Sequence, residues 1–501
     1  MLLANPHLPW FDFWMFYEAH LNLDNLILYG VTLVGLPFLG IGFNDFLGWT
    51  HTVNTIDNVD VYELNINNDQ YLLDGQYLDI QKQSKILKVK EDGDTYRSDT
   101  LRIKTTQHGI IIKEEGNKAL ALRFSKMENP PSILKQWYNM GISTSYEEFE
   151  NALKLSEIPL FNVIYADRDG NILYHFGGHV PEKQTGDWKY WSGIVSGDKS
   201  QNIWTTYHSY DELPIVKNPD NGWVQNANDP PFTCTIPTVL KPEDFPEYLA
   251  PNFMSFRPQQ SANLLLADAD ISFDELIEYK HSTNVGLAER ILDDFIPLND
   301  LAEDNTTLSA FEVLESWDRC LNADSKGAIL FMKWIELLGE NNLYDIFEIP
   351  WSFEKPNITP DGIKDKNKAV EALEKAAKSL NATYGKLDIS YGEVYRMKLG
   401  DFEYPANGGP GYLGLFRTLG FQQDEDQKFY AVGGDSFVAA VEFGEKIKAK
   451  VSLSYGNATQ PGSKHIGDQL PLLSEKQLRD ALRCREDVEM HLEFKEKISI
   501  K

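Results

Sequence analysis

The chain has 501 residues, with 47 Lys and Arg against 75 Asp and Glu, a formal net charge of −28. That balance argues against nucleic acid or an anionic membrane as partner, because both need clustered Lys and Arg. The composition, 42% hydrophobic and 12% aromatic, excludes disorder as the default and allows several domains or one large α+β body. The three cysteines, Cys234, Cys320 and Cys484, are far apart, lack metal-ligand spacing and allow at most one disulfide.

From the start, Met1 runs into LLANPHLPWF without a basic leader, so no signal peptide is visible. Residues 26–43 are apolar, but Gly30, Gly35, Gly40, Gly42 and Pro37 interrupt them. The pattern predicts two short buried strands with a turn near Gly35 to Pro37, not a membrane span. Residues 61–66 and 86–89 alternate as half-buried strands do, and 109–113 form a continuous apolar strand. Ser145 with Glu148 predicts a capping box for a helix through about Leu155. Residues 162–166 and 172–176 flank DRDGN and predict a hairpin.

From about 180 to 260 periodicity fades into Pro, Trp, Gly, Asn and Asp, as in lids and binding loops. Residues 272–385 are helical in pattern: Ser272 with Glu275 caps one helix, and 284–295, 309–321, 327–340 and 366–380 carry helical spacing or strong helix formers. Strand pattern returns at 429–431, 436–442 and 446–454, and Ser474 with Gln477 predicts a cap for a last helix. Strands, then helices, then strands point to α+β layers.

Several constellations could carry chemistry. His51 reads as a hydrogen-bonded core histidine. His175 and His179 sit four apart, a zinc spacing on a helix, but two glycines separate them and a hairpin precedes them, which argues against a site. Gly433 to Ser436 and Gly408 to Gly411 read as turns. Within QNANDPPF, Asn226, Asn228 and Asp229 serve either a turn or a side-chain amide aimed at a developing oxyanion. Asp57, Asn58, Val59 and Asp60 read locally as a surface turn, although two carboxylates and a carbonyl are also hard oxygen ligands.

Taken in order, LLANPHLPW, GLPFLGIGFNDFLGWTHTVNT, GGHVP with GDWKYWSG, YDELP and VQNANDPPF, MSFRPQQSANLL, and SLSYGNATQPGSKHIGDQLPLLSEKQL resemble the penicillin amidases. Within that family they are most similar to the acyl-homoserine-lactone and aculeacin-type acylases. The resemblance runs nearly end to end. It implies the αββα sandwich of N-terminal-nucleophile hydrolases, with a first core part at 1–270, a mainly helical insertion at 271–390, and closing strands and C-terminal helix at 391–501. It implies amide hydrolysis of a small N-acylated substrate, such as an acyl lactone, a lipopeptide or a β-lactam, without a catalytic cofactor. It also implies a precursor processed into an α and a β chain, an α chain as partner, and a periplasmic or extracellular location.

By the same resemblance, the Val53 N–H and the Asn228 side-chain amide form the oxyanion hole. Arg257 supports the site electrostatically, and His7 contacts the nucleophile region. Asp57, the Val59 carbonyl and Asp60 match ligands of a structural Ca²⁺. The family nucleophile, a Ser in a Ser-Asn-Ala-type motif, falls shortly before the position of Met1, and the first serine here is Ser84. The expectation is therefore a chain inactive alone, the alternative being a truncated or decayed homologue that binds acylated ligands. Trp10, Phe13 and Trp14, with Phe11 and Phe16, are candidates for an apolar acyl pocket, or else for core packing.

Overall fold

The computed structural model describes residues 1–23, 26–127 and 132–499. The glycine-broken stretch forms two antiparallel strands, Leu26–Leu33 and Ile41–Phe43, with Gly30 opposite Gly42. A Cβ on Gly30 would lie 2.1 Å from the Ile41 carbonyl oxygen, so only glycine lets these backbones approach.

These strands belong to a seven-stranded antiparallel sheet. From edge to edge it runs Ile215–Lys217, Ile172–Gly178, Leu160–Asp167, Leu47–Thr52, Ile41–Phe43, Leu26–Leu33, Phe16–Leu23. A four-stranded antiparallel sheet, in the order Leu2–Ala4, Phe437–Glu442, Lys448–Leu453, Arg479–Asp480, lies against it. Leu2, Ala4, Phe437, Ala439, Val441 and Val451 of the small sheet share one apolar cluster with Tyr29, Val31, Ile41 and Phe43 of the large one. The other face of the large sheet, with Leu28, Trp49, Val163 and Tyr165, is covered by helices Ile133–Ile142 and Tyr146–Leu153. Helix Phe273–Lys280 packs on strand Phe437–Glu442. Helix, sheet, sheet, helix is the αββα sandwich that the resemblance implies.

Two further sheets flank the sandwich. One includes Val59–Asn67, Lys118–Phe124 and Gly109–Glu115 and ends in the hairpin Gln81–Lys90/Tyr96–Thr106. The other pairs His7–Pro9 and Leu419–Gln423 with Phe429–Asp435. Helices Gly286–Phe295, Asn305–Ser316, Ala328–Leu338 and Lys366–Tyr384 enclose the largest core, in which the Phe295 and Trp334 rings stack at 4.1 Å. Among the described residues no helix is long and apolar enough to cross a membrane, and all three cysteines are free.

Some local expectations need correction. Residues 86–89 are in a strand, but every residue of Gln81–Lys90 is exposed, because the hairpin is an arm with no layer packed on it. The Ser145 hydroxyl caps helix Tyr146–Leu153 through the Glu148 N–H, whereas the Glu148 carboxylate reaches back to Thr144 rather than Ser145. The helix expected over 309–321 ends at Ser316, before Trp317 turns into the core. Ser474 is the last residue of helix Leu470–Ser474, not an N-cap, and its hydroxyl donates to the Pro405 carbonyl. Gly433, Gly434 and Asp435 lie within a strand, because His7–Pro9 pairs with that segment on one side and Leu419–Gln423 on the other.

Gly30→Ala tests the close approach. We expect it to destabilise the protein by about 1–3 kcal/mol, the usual range for overpacking, read as a lowered denaturant midpoint.

Candidate active site

Strand Leu47–Thr52 of the large sheet ends at Thr52, and Val53 follows at its mouth, 46% exposed. Beside it lies the loop carrying Asn228. The Asn226 side-chain oxygen accepts from the Thr52 hydroxyl, from the Asn162 amide (3.0 Å) and from the Asn228 N–H (2.9 Å), which pins the loop to the sheet. Buried Asp229 fastens the same loop from inside, accepting from the Ala227 N–H (2.9 Å), the Thr233 hydroxyl (3.1 Å) and the Gln225 amide (3.3 Å). Burial pushes the Asp229 carboxyl up to about 6 despite those donors. Asn228 itself has φ +65°, a left-handed conformation that Asn tolerates better than most side chains.

The Asn228 Nδ2 donates to the Val53 carbonyl at 2.8 Å, and its Oδ1 accepts from Arg257 at 2.7 Å. A guanidinium has no acceptor, so Oδ1 must face Arg257 and the amide orientation is fixed. A carboxamide nitrogen carries two hydrogens. One is used by Val53, and the other remains available beside the Val53 peptide, whose own N–H has no protein partner among the described residues.

Arg257, in the first turn of helix Phe256–Ala267, also lies 3.4 Å from His7 Nδ1. For that contact to be a hydrogen bond Nδ1 must accept, which leaves the His7 proton on Nε2, 3.1 Å from Asp435 Oδ1. The Asn5 amide donates to the same oxygen at 3.1 Å and lies 2.8 Å from His7 Nε2, so two donors crowd one acceptor. The other Asp435 oxygen accepts from Lys280 at 2.8 Å and lies 3.6 Å from Arg417. Asp435, Lys280 and Arg417 are fully buried. Burial alone would raise the Asp435 carboxyl, but Lys280, the His7 hydrogen bond and Arg417 outweigh it and hold it well below the usual range. Burial lowers His7 to about 4, so the ring is neutral near neutral pH.

The structure thus brings His7, Val53, Asn228 and Arg257 into one hydrogen-bonded chain. It places the candidate pocket residues differently: Trp10 is buried in the helical core, while Phe13 and Trp14 are exposed in a short turn with their rings tilted against each other. Local pattern missed Asn5, Lys280, Arg417 and Asp435. A cavity of about 520 Å³, lined by Asn22, Leu23, Leu26, Tyr138 and Ile142, contains none of these residues.

His175 and His179 form no pair: His175 packs on Tyr210, with neither ring nitrogen partnered among the described residues, and His179 Nε2 donates to the Ser156 carbonyl at 2.6 Å. Glu182, His208 and Glu212 offer ligand atoms within 4.8 Å of one another, but Glu212 already accepts from the N–H and hydroxyl of Ser209. Asp57 and Asp60 do approach each other, but the Lys183 ammonium lies between them, 2.7 Å from Asp57 and 3.3 Å from Asp60. Val59 opens the strand paired to Phe124. Calcium takes six to eight oxygen ligands at 2.3–2.6 Å. A lysine ammonium between two of its carboxylates does not fit it.

The penicillin amidase family model matches residues 1–490. The chain belongs to the penicillin amidase family. Among curated members, it is 26% identical to the acyl-homoserine lactone acylase PvdQ of Pseudomonas fluorescens (strain Pf0-1) over 95% of this chain and 65% of that protein. It is 25% identical to the aculeacin-A acylase of Actinoplanes utahensis, again over 95% and 65%. The chain spans about two thirds of the length of those relatives. The thermostable penicillin G acylase of Alcaligenes faecalis superposes with a TM-score of 0.72 over 100% of this chain and 96% of the other, at 17% identity.

The buried histidines predict a pH response. Burial lowers His7, His51, His108 and His179 to about 4, His175 to about 3 and His281 to about 2. Between pH 6.5 and 4 the unfolded chain binds these protons and the folded chain does not, so stability falls as pH falls. Asp60 and Asp229, raised to about 6, oppose this with fewer groups. We expect urea midpoints to drop from pH 7 to pH 5. His175→Gln should flatten that slope, each pH unit per histidine being worth about 1.4 kcal/mol at most.

Proposed function

We propose that this chain is the scaffold of an acylase that hydrolyses the amide bond of an N-acyl compound through an N-terminal serine. The observation that carries this reading is the Asn228 carboxamide, held by Arg257 on one side and by the Val53 carbonyl on the other. Its second N–H and the Val53 N–H are the proposed donors to the oxyanion that forms as the acyl carbon becomes tetrahedral. Arg257 polarises the carboxamide through Oδ1, which strengthens its N–H as a donor, and this help grows in value as charge develops on the reacting oxygen. In this reading His7, neutral and anchored by Asp435, orients Arg257 rather than taking a proton.

The same proposal puts the nucleophile outside the 501 residues. Among the described residues no serine is hydrogen-bonded to His7, Val53, Asn228 or Arg257, and Ser84 lies on the exposed arm. A free α-amine has a reference pKa near 8, so the N-terminal serine can supply its own base. An α chain from the same precursor, processing during maturation and export to the periplasm or outside the cell complete the proposal. The PvdQ relatives are named for acyl-homoserine lactones and the Actinoplanes utahensis relative for aculeacin A, and these are the first substrates to try.

The test is to express the chain with its upstream coding segment and follow amine release from N-acyl lactones and lipopeptides of graded acyl length. We expect turnover, and a loss of about 10²- to 10³-fold in kcat with Asn228→Ala. Turnover unchanged by that substitution defeats the oxyanion assignment. No turnover on any substrate favours a non-catalytic binder.

A further inference from the structure

The loop that follows Val53 is held by charges that the proposed chemistry does not use. Asp57 and Asp60 sit at the entry to strand Val59–Asn67, positions that the sequence resemblance matches to calcium ligands of the penicillin amidases. Asp60 is 1% exposed, and the Lys183 side chain is 1% exposed. Lys183 comes from the irregular segment after strand Ile172–Gly178, and its ammonium lies 4.3 Å above the Trp191 ring. Trp204 completes the enclosure, its indole N–H donating to the second Asp60 oxygen. The Trp204 ring in turn carries the Arg123 guanidinium at 4.6 Å. The two carboxylates therefore face an ammonium, an indole N–H and an aromatic face, all from this chain.

We propose that Lys183 is a built-in replacement for the divalent cation of this position, so that the segment from Val53 to Asp60 is tied to the loop at 181–191 without a metal. An ammonium and a calcium ion cannot both occupy the gap between Asp57 and Asp60, because like charges at that separation repel strongly where water is excluded. One positive charge against two carboxylates leaves an excess of negative charge. Aromatic walls suit an ammonium through cation–π attraction, whereas calcium needs oxygen on every side.

The experiment is a calcium titration and a thermal melt of the full chain, with terbium luminescence as a second probe of the site. We expect no stoichiometric calcium or terbium binding between Asp57 and Asp60, and the same Tm in EDTA and in millimolar calcium. Lys183→Met should lower Tm by about 5 °C, because it leaves two buried carboxylates without their cation, and should create calcium binding that restores part of the loss. A wild-type Tm that falls in EDTA, or calcium binding by the wild type that Asp57→Asn abolishes, overturns the proposal. So does a Lys183→Met variant with unchanged Tm and no response to calcium. Should Lys183→Met fail to fold, the wild-type titration and its Asp57→Asn control still decide between lysine and metal.

Discussion

The first nine residues are stitched to strands more than four hundred residues later, and the site depends on that stitching. Leu2 pairs with Val441 in the small sheet, and His7 pairs with Asp435 in the next. The pairing sets His7 and Asn5 on Asp435, and Asp435 can be buried only because Lys280 and Arg417 neutralise it. Placing a carboxylate there without those cations would be costly in a region closed to water. The reward is rigidity: every member of the series from Arg417 to Asn228 has its direction set by a neighbour.

That series has a direction as well as a shape. Its interior end is charged, dry and fully packed. Its outer end, Val53 and Asn228, is open to solvent, where a ligand could arrive. Arg257 joins the two, taking its position from His7 on one side and giving Asn228 its orientation on the other. A left-handed residue at 228 is the local strain that brings the carboxamide to the strand mouth, and the Asn226 hydrogen bonds hold it there.

Much of the fold was legible because its signals are local. Ser272 and Glu275 form the capping box their spacing suggests, and the DRDGN turn sits between paired strands. Ser474 failed because a Ser and a Gln three apart also fit a helix end, and the deciding contact, with Pro405, is remote in sequence. The site was legible chiefly through family resemblance. Local pattern left Asn228 open between a turn residue and an oxyanion donor, and it read Gly433 to Ser436 as a turn because nothing nearby reveals that two remote strands flank that segment. Lys183 was invisible for the same reason: a single lysine in a loop rich in Pro and Gly carries no periodicity, and its carboxylate partners lie more than a hundred residues upstream.

The distance spanned by those first strands also governs the order of assembly. Large-sheet hairpins such as Leu160–Asp167/Ile172–Gly178 close over short loops and can form while synthesis is still under way. The Leu2–Ala4 and His7–Pro9 segments have no partner until residues near 440 have been made, so they spend most of translation as unpaired edges. The small sheet and the sheet that holds His7 therefore close only after the hairpins of the large sheet.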